Sequence, residues 1–168
     1  MQNKVTRIVL WIALVGCMLV LAKFILFKKS PSYYKNYFQR QYSTAVIKKG
    51  MKNANLKPFT TIKLFYNSRL NRETKYENIG GNLLGFVPLG IFLPLLFWRL
   101  RNIFRTTLAV LLISLMFETT QLLTGLGAFD IDDLILNAAG GLLGYIFYAF
   151  IRTTIDAESV PHRVLANR

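Results

Sequence analysis

The sequence predicts an all-α integral membrane protein with about four transmembrane helices and a long basic, aromatic-rich loop between the first and second. Two observations carry this. Apolar runs recur at residues 8–27, 79–98, 106–124 and 134–151 of the 168, each about long enough as a helix to cross a hydrocarbon core roughly 30 Å thick. The charges, 21 Lys+Arg against 8 Asp+Glu for a net +13, sit mostly between those runs. In a soluble chain that excess would suggest nucleic acid. Between apolar runs it points to anionic lipid or envelope polymer, so membrane lipids are expected partners and nucleic acid is not.

The first run, 8–27, follows Lys4 and Arg7 and is closed by Lys28 and Lys29. Lys23 lies near its end, where an ammonium can snorkel to the headgroups. The run is long for the apolar core of a signal peptide and precedes no small-x-small cleavage site, so a retained helix is expected. Residues 28–78 form the loop, with 12 Lys/Arg against two acids, Glu73 and Glu77, and many aromatics, among them Tyr33, Tyr34, Tyr37, Phe59 and Tyr66. Basic and aromatic residues interleaved in this way suit segments lying at headgroup level. Pro58 interrupts any continuous helix, so two short interfacial segments are expected.

Residues 79–151 hold the remaining three helices. The second carries Pro88 and Pro94, which predict a kink or a widened turn. The third contains Glu118 and Gln121, and the fourth has Asn137 in its first turn; a polar tail, 152–168, follows. Four spans place both termini on one side. The acid-free short loop with Arg99, Arg101 and Arg105 favours termini inside, while Lys28, Lys29, Arg72 and Lys75 oppose it.

Ionisable groups within a membrane span are costly and mark a functional hypothesis. Glu118 is the clearest, with Gln121 three residues on along the same face and the basic loop as the nearest source of a charge partner. Asp130, Asp133 and Asn137 share a stripe at i, i+3 and i+7 if a helix starts near Asp130, while Asp132 points elsewhere. An Asp before a helix caps its free N–H groups, which accounts for Asp130 but not for three acids in four residues. The second helix opens with Glu77, Asn78 and Asn82. Counting spans puts Asn78, Asn82, Glu118, Gln121, Asp130, Asp133 and Asn137 near one membrane face.

A nine-residue echo joins the second and fourth helices: NIGGNLLGF from Asn78 and NAAGGLLGY from Asn137. Gly81/Gly85 and Gly140/Gly144 are each GxxxG pairs, which let helices approach closely in lipid, so these two helices are expected to pack through them. Such faces could equally serve a homo-oligomer. One cysteine, Cys17, permits no intrachain disulfide. One histidine, His162, makes a His/Cys zinc site very unfavourable, and neither a metal nor a cofactor is expected.

The chain resembles the VanZ-like membrane proteins. The resemblance rests on PFT from Pro58, NIGGNLLGFVPLG from Asn78, FETTQ from Phe117 and DIDDLILN from Asp130, with Gly140, Gly141 and Gly144 following. It covers about residues 55–150. It implies a bacterial cell membrane, a multi-pass topology, and a connection to tolerance of teicoplanin, a lipoglycopeptide; it implies no reaction.

Three readings follow. A non-enzymatic envelope protein could meet an acylated glycopeptide through a polar pocket at one membrane face, its acids attracting the drug's amine and its helices the acyl chain. A membrane enzyme or carrier could act on a lipid-linked cell-wall precursor, with Glu118 suited to proton transfer and Asp130 and Asp133 to a hydroxyl or divalent cation. Neither a nucleophile–base pair nor a phosphate-cradling motif supports catalysis, and no catalytic residue is assigned. Third, the polar residues could form a structural network closing one end of the bundle.

Overall fold

Each apolar run becomes a helix because, away from water, only intrahelical hydrogen bonds satisfy its backbone. The computed structural model describes residues 3–27, 31–39, 44–67 and 72–158. Its long helices are α1 (Lys4–Leu26), α5 (Arg72–Leu96), α6 (Ile103–Thr124) and α7 (Ile131–Glu158). The segments apolar enough to cross a bilayer are Lys4–Leu26, Ile79–Leu96, Ile103–Thr124 and Ile131–Thr154. The described residues contain no strand, only an isolated bridge between Asn55 and Asp130.

Local chemistry sets the ends. Asn3 accepts from the Val5 amide at the start of α1, and Asn102 accepts from Phe104 and Arg105 N–H at the start of α6. Gly125 ends α6 in the left-handed region, φ 68°, which glycine adopts without a Cβ clash. α5 continues through Pro88 and stops at Leu96, shortly after Pro94; a 3-10 turn, Trp98–Leu100, leads on to α6. α5 also begins at Arg72, about two turns before the span expected at 79–98.

α5 and α7 form the closest pair. α6 packs on α7, and α1 lies outside, against α5 and α6. Trp11 meets Phe97 edge-on and Leu21 lies near Gly85, so α1 and α5 run antiparallel. Phe86, Leu89, Val110 and Phe117 fill the centre, with Phe86 and Phe117 edge to face at 6.5 Å. The outer face of α1, including Ile8, Ile12, Leu19 and Phe24, is exposed as a lipid-facing surface would be.

The glycine pairs differ from the expected arrangement. Gly140 and Gly144 of α7 do meet α5: a methyl group on either would lie 2.0 Å from the Leu83 or Val87 carbonyl oxygen. The α5 glycine that completes this contact is Gly90, not Gly81 or Gly85. Gly85 faces Leu21 of α1, and Gly81 has open space where a side chain would stand. The nine-residue echo placed both pairs on one seam, but the seam follows residues 83, 87 and 90, the opposite side of α5 from Gly81 and Gly85.

Among its described residues the loop between α1 and α5 holds three short helices rather than two: α2 (Pro31–Gln39), α3 (Thr44–Lys52) and α4 (Thr60–Asn67). They fold onto one end of the bundle. Tyr34 donates to the Leu26 carbonyl, and Tyr37 donates to the Thr124 carbonyl at the end of α6. Gly50 of α3 is buried against Leu122, and α4 contacts α5 and α7.

Candidate functional site

The loop is fastened to the bundle by a clamp around the start of α7. Asp130 stands just before that helix, and its Oδ1 accepts from the Asp132 amide at 2.9 Å, an N-cap bond. The same oxygen accepts from Asn55 Nδ2 at 2.9 Å, and Oδ2 accepts from Thr61 Oγ1 at 2.6 Å. The backbones pair as well: the Asn55 amide donates to the Phe129 carbonyl at 2.8 Å, and the Ile131 amide to the Asn55 carbonyl at 3.0 Å. Beneath them Glu118, 1% exposed, accepts from the Asp130 amide at 3.0 Å. Glu118 on α6 thereby holds the turn that starts α7.

Asp132 is the centre of the clamp. It is fully buried and accepts three backbone N–H bonds, from Phe59 (2.5 Å), Thr61 (2.7 Å) and Ile62 (3.1 Å). Those amides are the free donors at the start of α4, so a carboxylate from α7 caps a helix of the loop. Phe59 sits at φ 63°, uncommon for an aromatic residue, and such conformations persist where the surroundings hold them. The Asp132 bond to its amide is one such restraint.

The other polar residues are distributed around this end instead of meeting in one pocket. Asn82 of α5 donates to Asp133 at 2.5 Å. Asn137 donates to Ser114 of α6 at 2.8 Å, and its side-chain carbonyl oxygen is buried with no hydrogen-bond partner among the described residues. Gln121 donates to the Ile25 carbonyl in the last turn of α1 at 2.8 Å, where helix carbonyls lack intrahelical donors. Each bond joins two different long helices. The side chain of Asn78 lies outside the described residues. Among the described residues no three His, Cys, Asp or Glu side chains group as a metal site would require.

Sequence reasoning missed Asp132, which it set apart from the stripe, and Asn55 and Thr61, its neighbours in the clamp. The surplus of acids over what one N-cap needs was the available signal for Asp132. Nothing in the periodicity marks Asn55, since a loop residue's partner across 75 positions leaves no local pattern.

It also missed an apolar groove. α1 and α5 diverge around a cavity of about 1130 Å³ lined by Cys17, Leu21 and Phe24 on one side and Gly81, Gly85 and Phe92 on the other. Its polar lining, Lys23 and Asn82, lies at the end near the clamp. The absent side chains of Gly81 and Gly85 give the groove its depth.

The clamp, α5, α6 and most of α1 and α7 fall within residues 11–152, the stretch matched by the family profile described as VanZ/LLP1. The chain belongs to the VanZ/LLP1 family. A curated relative, "Protein VanZ" of Enterococcus faecium, is 31% identical over 129 residues, 76% of this chain and 73% of that protein. No solved structure matches the chain. The PFT and DIDD motifs of this VanZ-family chain are the two halves of the Asp132 clamp: Phe59 and Asp132 come from them.

Proposed function

We propose that this VanZ-family protein resides in a bacterial cell membrane and confers tolerance to acylated glycopeptides of the teicoplanin type by taking up the acyl chain. The supporting observation is the α1/α5 groove, apolar along its length and polar only where it nears the clamped end. A preformed apolar cleft with a few polar groups at its mouth is the ordinary form of a small-molecule site. The acids contribute differently from the attraction to a drug amine expected above. Asp130 and Asp132 are engaged in holding the loop, so the structure favours chain uptake over amine binding as the source of selectivity.

The test is susceptibility of a sensitive Gram-positive host expressing the protein or Gly81→Leu at matched membrane levels. Gly81 lines the groove and a Cβ there meets nothing within 4 Å, so a leucine can be carried on α5 with its side chain taking up groove space. The expected result is protection against teicoplanin, little against vancomycin, and loss of protection in Gly81→Leu. Equal protection against both drugs, or full protection by Gly81→Leu, would remove the acyl-chain argument.

The reading also requires the clamped end to face outward, where the drug arrives. Tyr66, 83% exposed on α4, reports this. In a Cys17→Ser background, Tyr66→Cys should react with an impermeant maleimide in intact cells. Labelling only after lysis would place the groove in the inner leaflet and exclude direct drug uptake.

A further inference from the structure

We propose that the α1/α5 groove holds an anionic phospholipid of the leaflet at the clamped end, with one acyl chain along the groove and its phosphate against Lys23. This deepens the proposed function and rests on the groove being an acyl-chain site.

Dimensions indicate a single leaflet. From Gly81 to Phe92 the α5 wall covers twelve residues, about 17 Å of helix. That is roughly half of a hydrocarbon core about 30 Å thick. The groove therefore runs from one interface to about the midplane and stops, as a single acyl chain does. Its walls are Leu21, Phe24, Phe92 and the two glycines, and its polar groups cluster at the interface end.

Charge selects the headgroup. Lys23 is exposed in the last turn of α1, three residues before its end, so its ammonium can reach headgroup level from the groove wall. Among the described residues its ammonium has no hydrogen-bond or ion-pair partner. Asn82, which lines the same groove, is bonded to Asp133. Above the same end, Lys48, Lys49, Lys52, Lys57 and Lys63 are exposed on α3, α4 and the turn between them. A basic ceiling over a leaflet concentrates anionic lipid beneath it, each basic residue near the surface adding to the attraction. Lys23 differs from those lysines because it alone also lines the apolar groove. It can therefore read a phosphate whose chain is already inserted.

The test is native mass spectrometry of the full chain released from detergent, with phosphatidylglycerol or phosphatidylcholine of identical acyl chains added. The wild type should retain one phosphatidylglycerol about tenfold more tightly than phosphatidylcholine. Lys23→Gln should bind both equally, Lys23→Arg should keep the preference, and Gly81→Leu should lose the tightly held lipid of either kind. Equal binding of both lipids by the wild type, or a preference that persists in Lys23→Gln, overturns the anionic-lipid proposal while leaving the groove as an acyl-chain site. Unchanged retention of both lipids by Gly81→Leu overturns this proposal and the proposed function together. A circular-dichroism melt of each variant confirms that the compared proteins are folded.

Discussion

Replacing Asp132 by alanine should release the loop from the bundle while leaving the four long helices in place. One buried carboxylate accepts three backbone amides at the start of α4. Hydrogen bonds to a charged acceptor contribute about 1.5–3 kcal/mol each, and donors left buried without a partner cost more than donors returned to water. The three are not additive, because the freed loop can lift away and rehydrate its amides. A loss of about 3 kcal/mol in the closed state is expected, on the order of a hundredfold in the opening equilibrium. Phe59 adds to the drive for opening, since a non-glycine residue held in the left-handed region stores about 1–3 kcal/mol that release relieves. Hydrogen exchange in detergent is the measurement. The Phe59, Thr61 and Ile62 amides should lose protection in Asp132→Ala, with less change in Asp132→Asn, which keeps one accepting oxygen. Amides within α6 and the middle of α7 should be unaffected. Unchanged protection over residues 55–62 would mean that the loop is held by its other contacts alone.

The second large effect is expected at the α5/α7 seam. Gly140 and Gly144 bring α7 so close to α5 that even an alanine methyl would stand 2.0 Å from a carbonyl oxygen of α5. The obstacle is backbone, which cannot rotate aside as a side chain can, so the helices must separate. Separation would also disturb Val110 against Gly141 and the Phe86–Phe117 contact. In lipid no hydrophobic gain compensates, because helix association there depends on close packing. Gly144→Ala should therefore cost about 3 kcal/mol, the upper part of the range for overpacking, and Gly140→Ala a similar amount. Gly81→Ala is the internal comparison. With open space around it, the change should be neutral or gain about 0.5–1 kcal/mol from reduced unfolded-chain freedom. Thermal unfolding in a mild detergent reads all three. A Gly144→Ala protein that melts with the wild type would show that the seam is looser than its geometry states.

These two effects mark where reading the chain succeeded and where it stopped. Transmembrane spans are local properties: twenty apolar residues in a row specify a helix and its solvent wherever the rest of the chain lies. The four runs were therefore legible, and so, by counting alternate crossings, was the placement of the described polar residues toward one end of the bundle. The small-residue faces were legible as faces, but not their partners. Gly140 and Gly144 meet Leu83, Val87 and Gly90, while the similar pair Gly81 and Gly85 turns to α1 and the groove.

The polar residues divide in the same way. That Glu118, Gln121, Asp130, Asp133 and Asn137 needed partners followed from burial in a medium without water. Which partners they took depended on distances between helices that no periodicity encodes: Gln121 reaches the end of α1, Asn137 reaches Ser114, and Glu118 reaches the turn before α7. Asp132 was set aside because its position on the wheel points away from the stripe. In three dimensions that direction leads to the loop, which lies 70 or more residues earlier in the chain. The groove was equally hidden, since it is space between α1 and α5, and space between two helices is fixed by their packing angle and by the glycines that line it. The covalent order of apolar and polar residues sets how many times the chain crosses and which end is polar. The clamp and the groove arise only when α7, α5 and the loop are brought together, because each is built from residues that have no local reason to meet.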